Sequence, residues 1–228
     1  MCTIHTNVWQ YMAKRKGTPM EPNPMQLRVA RILTGSASFD DRFVPDHEEL
    51  VTLLNQLRGM GCTIVFTMGV WDLFHIGHAE YIEKGKEEAK KKLPDAERII
   101  VVVGVDTDAL TKKRKGPKRP IVPEDERARV LSHLRSVDII TPQYEFNQLY
   151  EIVSPDVQII STSTKDLPDN IDHITKHCTH LINLEPQAET STTARIRTLA
   201  LDGSLTAIES VSKKLLQVLE EAKDELTT

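Results

Sequence analysis

The feature that most constrains this chain is a series of short apolar runs set between helix-like segments. The runs are Thr63–Thr67, Arg98–Val105, Val137–Ile140, Val157–Ile160 and His180–Leu184. They are mostly β-branched and do not alternate with polar residues. A strand that is apolar on both faces has to be covered on both faces. Residues 78–92, 123–135 and 146–153 have the length and polarity of the intervening helices, and Pro123 suits a first helical turn. This alternation predicts the α/β class, with a Rossmann-like doubly wound parallel sheet. Ligands of such sheets bind beyond the carboxyl ends of the strands. The residues that follow each run are therefore the candidates for function.

The flanks read differently. Residues 1–45 are expected to form an N-terminal arm. Its first 27 residues are rich in Met, Pro and Lys without a period, and Thr34–Ser38 is turn-like. Asp46 and Glu49 have capping-box spacing. They open a helix marked by Leu50, Val51, Leu53, Leu54 and Leu57, which Gly59 and Gly61 close. The main domain is expected over residues 46–203. Residues 204–228 form a separate amphipathic helix with a stripe of Ile208, Val211, Leu215, Leu219, Ala222 and Leu226. That stripe either packs on its own domain or joins a second copy as a homodimer.

Composition excludes several classes. The chain has 228 residues, 29 Lys and Arg against 33 Asp and Glu, and a formal net charge of -4. Such an average gives no general grip on nucleic acid. No apolar run approaches the ~18 residues of a membrane span, and the first residues lack a basic start followed by an apolar stretch. No membrane association and no secretory leader are expected. Cys2, Cys62 and Cys178 are widely spaced, odd in number and without a CxxC pair. They fit a reducing cytoplasm and oppose a structural zinc site. One imbalance remains: Lys112–Arg119 holds six cations in eight residues.

The first run ends in Met68-Gly69-Val70-Trp71-Asp72-Leu73-Phe74-His75-Ile76-Gly77-His78. Gly69 permits a sharp turn at the strand end. His75 and His78 are three apart at a helix start, so both imidazoles can face one point. Gly77 leaves room for a ligand to approach the backbone. The helix N-terminus adds unpaired N–H groups and partial positive charge, which suits phosphate. Two histidines near a helix start can also be plain surface or core residues. Zinc binding by the pair lacks a nearby third ligand.

This stretch resembles the HxGH signature of the cytidylyltransferase-like nucleotidyltransferases. The resemblance implies transfer of a nucleoside monophosphate from a nucleoside triphosphate to a phosphorylated acceptor, with release of pyrophosphate.

The basic run follows the second strand, at the same edge of the sheet. A charge run is commonly a solvated face or a nucleic-acid patch. Gly116-Pro117 and Pro120 oppose a plain solvated helix, and a flexible cationic loop could clamp polyphosphate. Val103–Ala109, Lys112–Ala128 and Val137-Asp138 resemble one branch of the family, the adenylyltransferase domain of ADP-heptose synthase. Its pattern reads K-x-x-K-G-x-x-R-P-I-x-P-x-x-[DE]-R-A, and Lys112, Lys115, Arg119 and Arg127 fill the basic positions. The resemblance covers roughly residues 43–200.

A third motif, Ser191-Thr192-Thr193, sits at an expected helix start. Its hydroxyls can cap the helix or present donors to an anion. The family's S-T-T-[KR]-I motif holds the triphosphate there, although Ala194 displaces Arg195 by one residue. Two features depart from the family. Ser161–Asp166 replaces a glycine- and aspartate-rich turn after the fourth strand, and Glu189 stands near a position where glycine is expected.

The resemblance implies these assignments. His75, His78, Lys112, Lys115 and Arg127 are catalytic. Met68, Gly69, Val70, Gly77, Ser191, Thr192 and Thr193 bind the nucleotide. Asp72 and Arg119 meet the acceptor. ATP or CTP is the donor, the acceptor is a small phosphorylated molecule, and Mg²⁺ is bound through the nucleotide phosphates rather than by protein ligands. The leading reading is AMP transfer from ATP to a sugar phosphate such as heptose 1-phosphate. The alternatives are a cytidylyltransferase using CTP and a small alcohol phosphate of the glycerol 3-phosphate type, or a purely binding protein on the same fold.

Overall fold

The computed structural model describes residues 22–162, 167–187, 201, 203 and 208–214. The elements run α1 (Pro24–Thr34), α2 (Phe39–Arg42), α3 (His47–Gly59), β1 (Cys62–Gly69), α4 (Ile76–Lys92), β2 (Arg98–Asp106), α5 (Asp108–Lys115), α6 (Glu124–Ser132), β3 (Ile139–Gln143), α7 (Gln148–Val153), β4 (Val157–Ser161), α8 (Leu167–Lys176) and β5 (His180–Leu184). The five strands form one sheet in the order β3-β2-β1-β4-β5, and every pairing is parallel. This is the expected doubly wound α/β architecture. The chain moves outward through β2 and β3, then returns to pair β4 with the other side of β1. That reversal opens a crevice beyond the carboxyl ends of β1 and β4.

The apolar runs are buried on both sides, as their lack of alternation requires. Ile64, Phe66, Ile100 and Val102 point into one core with α1, α3 and α7. Val65, Val101, Val103 and Val105 point into the other, with Ile82 and Ala89 of α4 and Ala128 and Leu131 of α6. Each large apolar side chain fully buried this way contributes about 1.5–3 kcal/mol. Two glycines permit close packing. A Cβ at Gly85 would lie 2.2 Å from Ile159 Cδ1, and one at Gly104 would lie 2.7 Å from both Met68 Cβ and Leu149 Cδ1. β3 carries Pro142, which an edge strand tolerates. Part of that edge is closed by Val44, whose N–H donates to the Ile140 carbonyl at 2.8 Å.

The described part of the expected arm is docked on the body of the domain. Val29, Ile32 and Leu33 of α1 are buried in the first core. Their spacing is helical, and Asn23 and Gln26 form a capping box with Pro24 in the first turn. Arg28 ties the segment down, donating to the Asp40, Asp41 and Phe43 carbonyls and pairing with Glu49. At the other end, the chain divides into two compact units after Gln187, earlier than the expected boundary at residue 203. In the second unit residues 208–214 are helical, and Ile208 and Val211 are exposed. Among the described residues no helix is long and apolar enough to cross a membrane.

Candidate active site at the carboxyl edge of the sheet

The strand register brings the site together. Gly69 of β1 stands opposite Val105 of β2, and Asp106 stands opposite Gln143 of β3. The three strands therefore end side by side. The turn after β1 bends through left-handed backbone at Trp71 (φ 57) and Leu73 (φ 46), and not at Gly69. Such conformations cost a non-glycine residue about 1–3 kcal/mol and persist only where the surroundings hold them. Here the Trp71 indole N–H donates to the Gly104 carbonyl at 2.8 Å, fully buried.

That turn delivers the two histidines. His75 is the N-cap residue of α4, without a side-chain cap of its own. Gly77 is buried in the first turn. The rings of His75 and His78 are stacked, with centroids 3.9 Å apart and planes 25° apart. Trp71 meets His78 edge-on at 5.5 Å, and Phe74 lies 5.2 Å from it. Two half-buried imidazoles are thus fixed at a helix N-terminus, where donors and partial positive charge favour an anion. Met68 packs against the first core. Val70 is buried, and its carbonyl accepts from Arg127 Nη1.

The basic run is half helix and half loop. Lys112, Lys113, Arg114 and Lys115 form the last turn of α5, where cations complement the helix dipole. The flexible loop expected over the whole run is therefore corrected: α5 extends to Lys115, and Gly116 ends it at φ 94. The cations then separate by type. Arg114 pairs with Asp106 at 2.6 Å and lies 4.0 Å over the Phe146 ring. Arg119 pairs with Asp72 at 2.9 Å. Lys112, Lys113, Lys115 and Lys118 are exposed. A guanidinium forks to several acceptors and tolerates burial, whereas an ammonium on a long stem stays hydrated.

Two assigned residues are buried among partners within the chain. Asp72 is only 2 % exposed. Its carboxylate accepts from the backbone N–H of Ile121, at 3.1 and 3.0 Å, and of Val122 at 2.9 Å, besides pairing with Arg119. It latches the cationic segment onto the histidine turn. Arg127 is also 2 % exposed. It donates to the Val70, Asp106 and Val122 carbonyls and pairs with Asp108 at 2.6 Å. It ties the ends of β1 and β2 to the loop. The acceptors these groups satisfy come from distant segments, which local sequence cannot place. Ser191, Thr192 and Thr193 lie outside the described residues.

Sequence reasoning missed Asp106, Arg114 and Trp71 as site residues. Asp106 ends a buried strand at the correct edge, and that position was the available signal. Burial raises its carboxyl pKa, while Arg114 and Gln143 partly offset the rise. Lys115 is solvent-exposed over much of its surface, yet its pKa is lowered. Desolvation is the main cause, then the charges of Arg119 and Arg114, against Asp106 and Asp72.

Comparison with known proteins places this chain in a family. The cytidylyltransferase-like family model matches residues 66–203. The chain belongs to the cytidylyltransferase-like family. It is 37% identical over 121 residues to the bifunctional protein HldE of Nitratiruptor, covering 52% of this chain and 24% of that one. It is 40% identical over 112 residues to HldE of Helicobacter pylori, covering 48% and 22%. The chain thus matches about a quarter of the length of these curated relatives. A lipopolysaccharide core biosynthesis protein from Thermoplasma volcanium is 24% identical, covering 54% of this chain and 95% of that one, with a TM-score of 0.44. The cytidylyltransferase-like family is enzymatic, and these matches support nucleotidyl transfer as the general class of activity.

Proposed function

We propose that the chain transfers AMP from ATP to a phosphorylated sugar of the heptose 1-phosphate type and releases pyrophosphate. The observation that carries this reading is the join between two phosphate-seeking elements. The stacked His75 and His78 and the exposed lysines of α5 are held together through Asp72 and Arg119. The choice of ATP and a sugar phosphate is supported by the likeness to HldE proteins and by the extended pattern from Lys112 to Ala128.

The reaction needs no protein nucleophile. An acceptor phosphate oxygen attacks the α-phosphorus in line. The new O–P bond forms as the bond to the β-phosphate oxygen breaks, and pyrophosphate leaves with the electron pair. The protein aligns and neutralises. His75 and His78 donate to α- and β-phosphate oxygens. Lys112 and Lys115 stabilise charge growing on the leaving group. Ser191, Thr192 and Thr193 hold the β/γ end in this scheme. Among the described residues no three His, Cys, Asp or Glu side chains are grouped to hold a metal, and the Asp72 and Asp106 carboxylates are already paired with arginines. In this scheme Mg²⁺ would arrive on the nucleotide and neutralise phosphate charge there.

The reading extends to a homodimer joined through the tail stripe, to be measured by light scattering, and to a cytoplasmic setting. The deciding experiment is a matrix of ATP and CTP against heptose 1-phosphate and glycerol 3-phosphate, read by pyrophosphate release. ATP with heptose 1-phosphate is expected to be the fastest pair. CTP with glycerol 3-phosphate as the fastest pair overturns the reading, and binding without turnover on every acceptor replaces it with a sensor.

A further inference from the structure

Helix α5 has only eight residues, and so short a helix is not held by its own hydrogen bonds. It is anchored at both ends to the strands beneath it. At its start the Thr107 hydroxyl accepts the Leu110 N–H at 3.3 Å, and the Thr107 N–H donates to the Gln143 carbonyl at 3.0 Å. At its finish Arg114 reaches back past the whole helix to Asp106, the last residue of β2. Its Nη1 donates to Oδ2 at 2.6 Å. The other carboxylate oxygen of Asp106 accepts the Gln143 side-chain amide N–H, from β3, at 2.8 Å. The Arg114 guanidinium also lies 4.0 Å over the Phe146 ring. Asp106 and Gln143 are each 1 % exposed. One buried carboxylate thus ties the last turn of α5 to the ends of two strands.

The same segment is pinned again where Arg119 meets Asp72. Between the two arginines stand Lys115, Gly116, Pro117 and Lys118. The Arg119 N–H donates to the Gly116 carbonyl at 3.1 Å and closes a tight turn. That turn has a buried aspartate at each foot. Lys115 lies within the influence of both feet. Arg119 and Arg114 lower its pKa, while Asp106 and Asp72 raise it, beside the desolvation that lowers it most. Helix geometry separates it from Lys112. The buried face of α5 carries Leu110 and Thr111. At 3.6 residues per turn, Lys115 flanks that face, next to Arg114, whereas Lys112 lies about 160° round the axis from Arg114. The clamp on Arg114 therefore fixes Lys115 more closely than any other lysine of the helix.

We propose that Asp106 is a positioning residue, which through Arg114 fixes the last turn of α5 and holds the Lys115 ammonium toward the pyrophosphate group of the nucleotide. A guanidinium suits this task because its planar fork engages a carboxylate and an aromatic face together, which defines a direction as well as a distance. A lysine on a free loop loses conformational freedom when it meets an anion. A lysine presented from an anchored turn has lost much of that freedom already, so more of the interaction appears as affinity and rate. Gln143 orients the carboxylate, which brings the edge strand β3 into the support of the site. The proposal rests on the nucleotidyl-transfer reading above and names what places its lysine.

The test measures binding and turnover separately. Pyrophosphate with Mg²⁺ is titrated calorimetrically into the full chain, and turnover is followed with ATP and heptose 1-phosphate. Asp106→Asn, Arg114→Met and Arg114→Lys are each made with Lys115 present and with Lys115→Met. With Lys115 present, Asp106→Asn and Arg114→Met are each expected to weaken pyrophosphate about tenfold. Arg114→Lys, which keeps the charge, should recover most of that loss. With Lys115→Met, the first two changes should cost nothing further, because residues that act through one group are not additive. Should Asp106→Asn fail to fold, Arg114→Met carries the test, since that side chain is 23% exposed. Equal losses in the two backgrounds mean a merely structural role and overturn the proposal. Unchanged pyrophosphate affinity in folded Arg114→Met also overturns it. If wild type releases no pyrophosphate from any acceptor while pyrophosphate binding keeps this dependence on Lys115, the transfer reading fails and the positioning role stands.

Discussion

Arg119 Nε lies 2.9 Å from Asp72 Oδ2, and this pair joins the turn that carries the histidines to the segment that carries the cations. Asp72 also holds the Ile121 and Val122 N–H groups. A single buried carboxylate thus links the histidine turn to the cationic segment, which lie far apart in sequence.

Asp72→Asn keeps the size of that side chain and removes its charge. Arg119 and two backbone donors then lose their ionic acceptor, at a cost of about 1–3 kcal/mol. The variant should fold with a lower melting temperature and lose about a hundredfold in kcat/KM for the nucleotide, because displaced lysines no longer meet the phosphates. Wild-type kinetics in a folded Asp72→Asn protein would remove the latch from the mechanism.

His78→Ala tests the imidazole pair directly. Losing one preorganised donor to a transition-state charge costs about 2.7–4 kcal/mol. Turnover should fall about a hundredfold or more. Because His78 is only half-buried, thermal stability should change little. Steady-state pyrophosphate release and a melting curve on one preparation check both halves.

Arg127→Met should show the opposite balance. The change strands the Val70, Asp106 and Val122 carbonyls and leaves Asp108 without its partner. Breaking a buried, fully bonded cation costs about 3–5 kcal/mol. Denaturant unfolding should reveal a loss of that order. A fully stable variant with weakened nucleotide binding would instead return Arg127 to direct contact with phosphate.

Lys115→Met should separate stability from binding. The folded pKa of Lys115 is lowered below its usual 10.5, so the folded state disfavours its charge. The associated stability is present only above 10.5 and is lost as pH falls through the folded value, which leaves charged Lys115 a burden at neutral pH. The variant should therefore melt higher than wild type at pH 7, with the gap closing as pH approaches 10.5. Its affinity for ATP should fall and depend less on salt. Melting curves across pH and titrations at two ionic strengths decide this, and a lower melting point at pH 7 would contradict it.

Much of the architecture was legible because burial leaves a direct trace in composition. Strands covered on both faces must read as uninterrupted apolar runs, and Ile64–Phe66 and Ile100–Val103 do so. α1 was less legible. Its three buried residues occupy one short turn pair, and a stretch rich in Met and Pro precedes them. The histidine pair was legible because its spacing, the glycine and the strand-to-helix junction coincide within a few residues. The basic run was legible as a feature and misread in detail, since its net charge is local while the partners of its arginines are not.

The sequence by itself determined a parallel α/β sheet, the junction at which His75 and His78 meet, and the concentration of positive charge after β2. These follow from side-chain periodicity and near-neighbour chemistry. Only the tertiary structure decided which charges are committed to the scaffold. Arg114, Arg119 and Arg127 are bound to Asp106, Asp72 and Asp108, whereas the lysines face solvent. The strand register brings Asp72 and Asp106 beside the cationic segment, and a buried carboxylate is stable there only when arginine and backbone donors surround it.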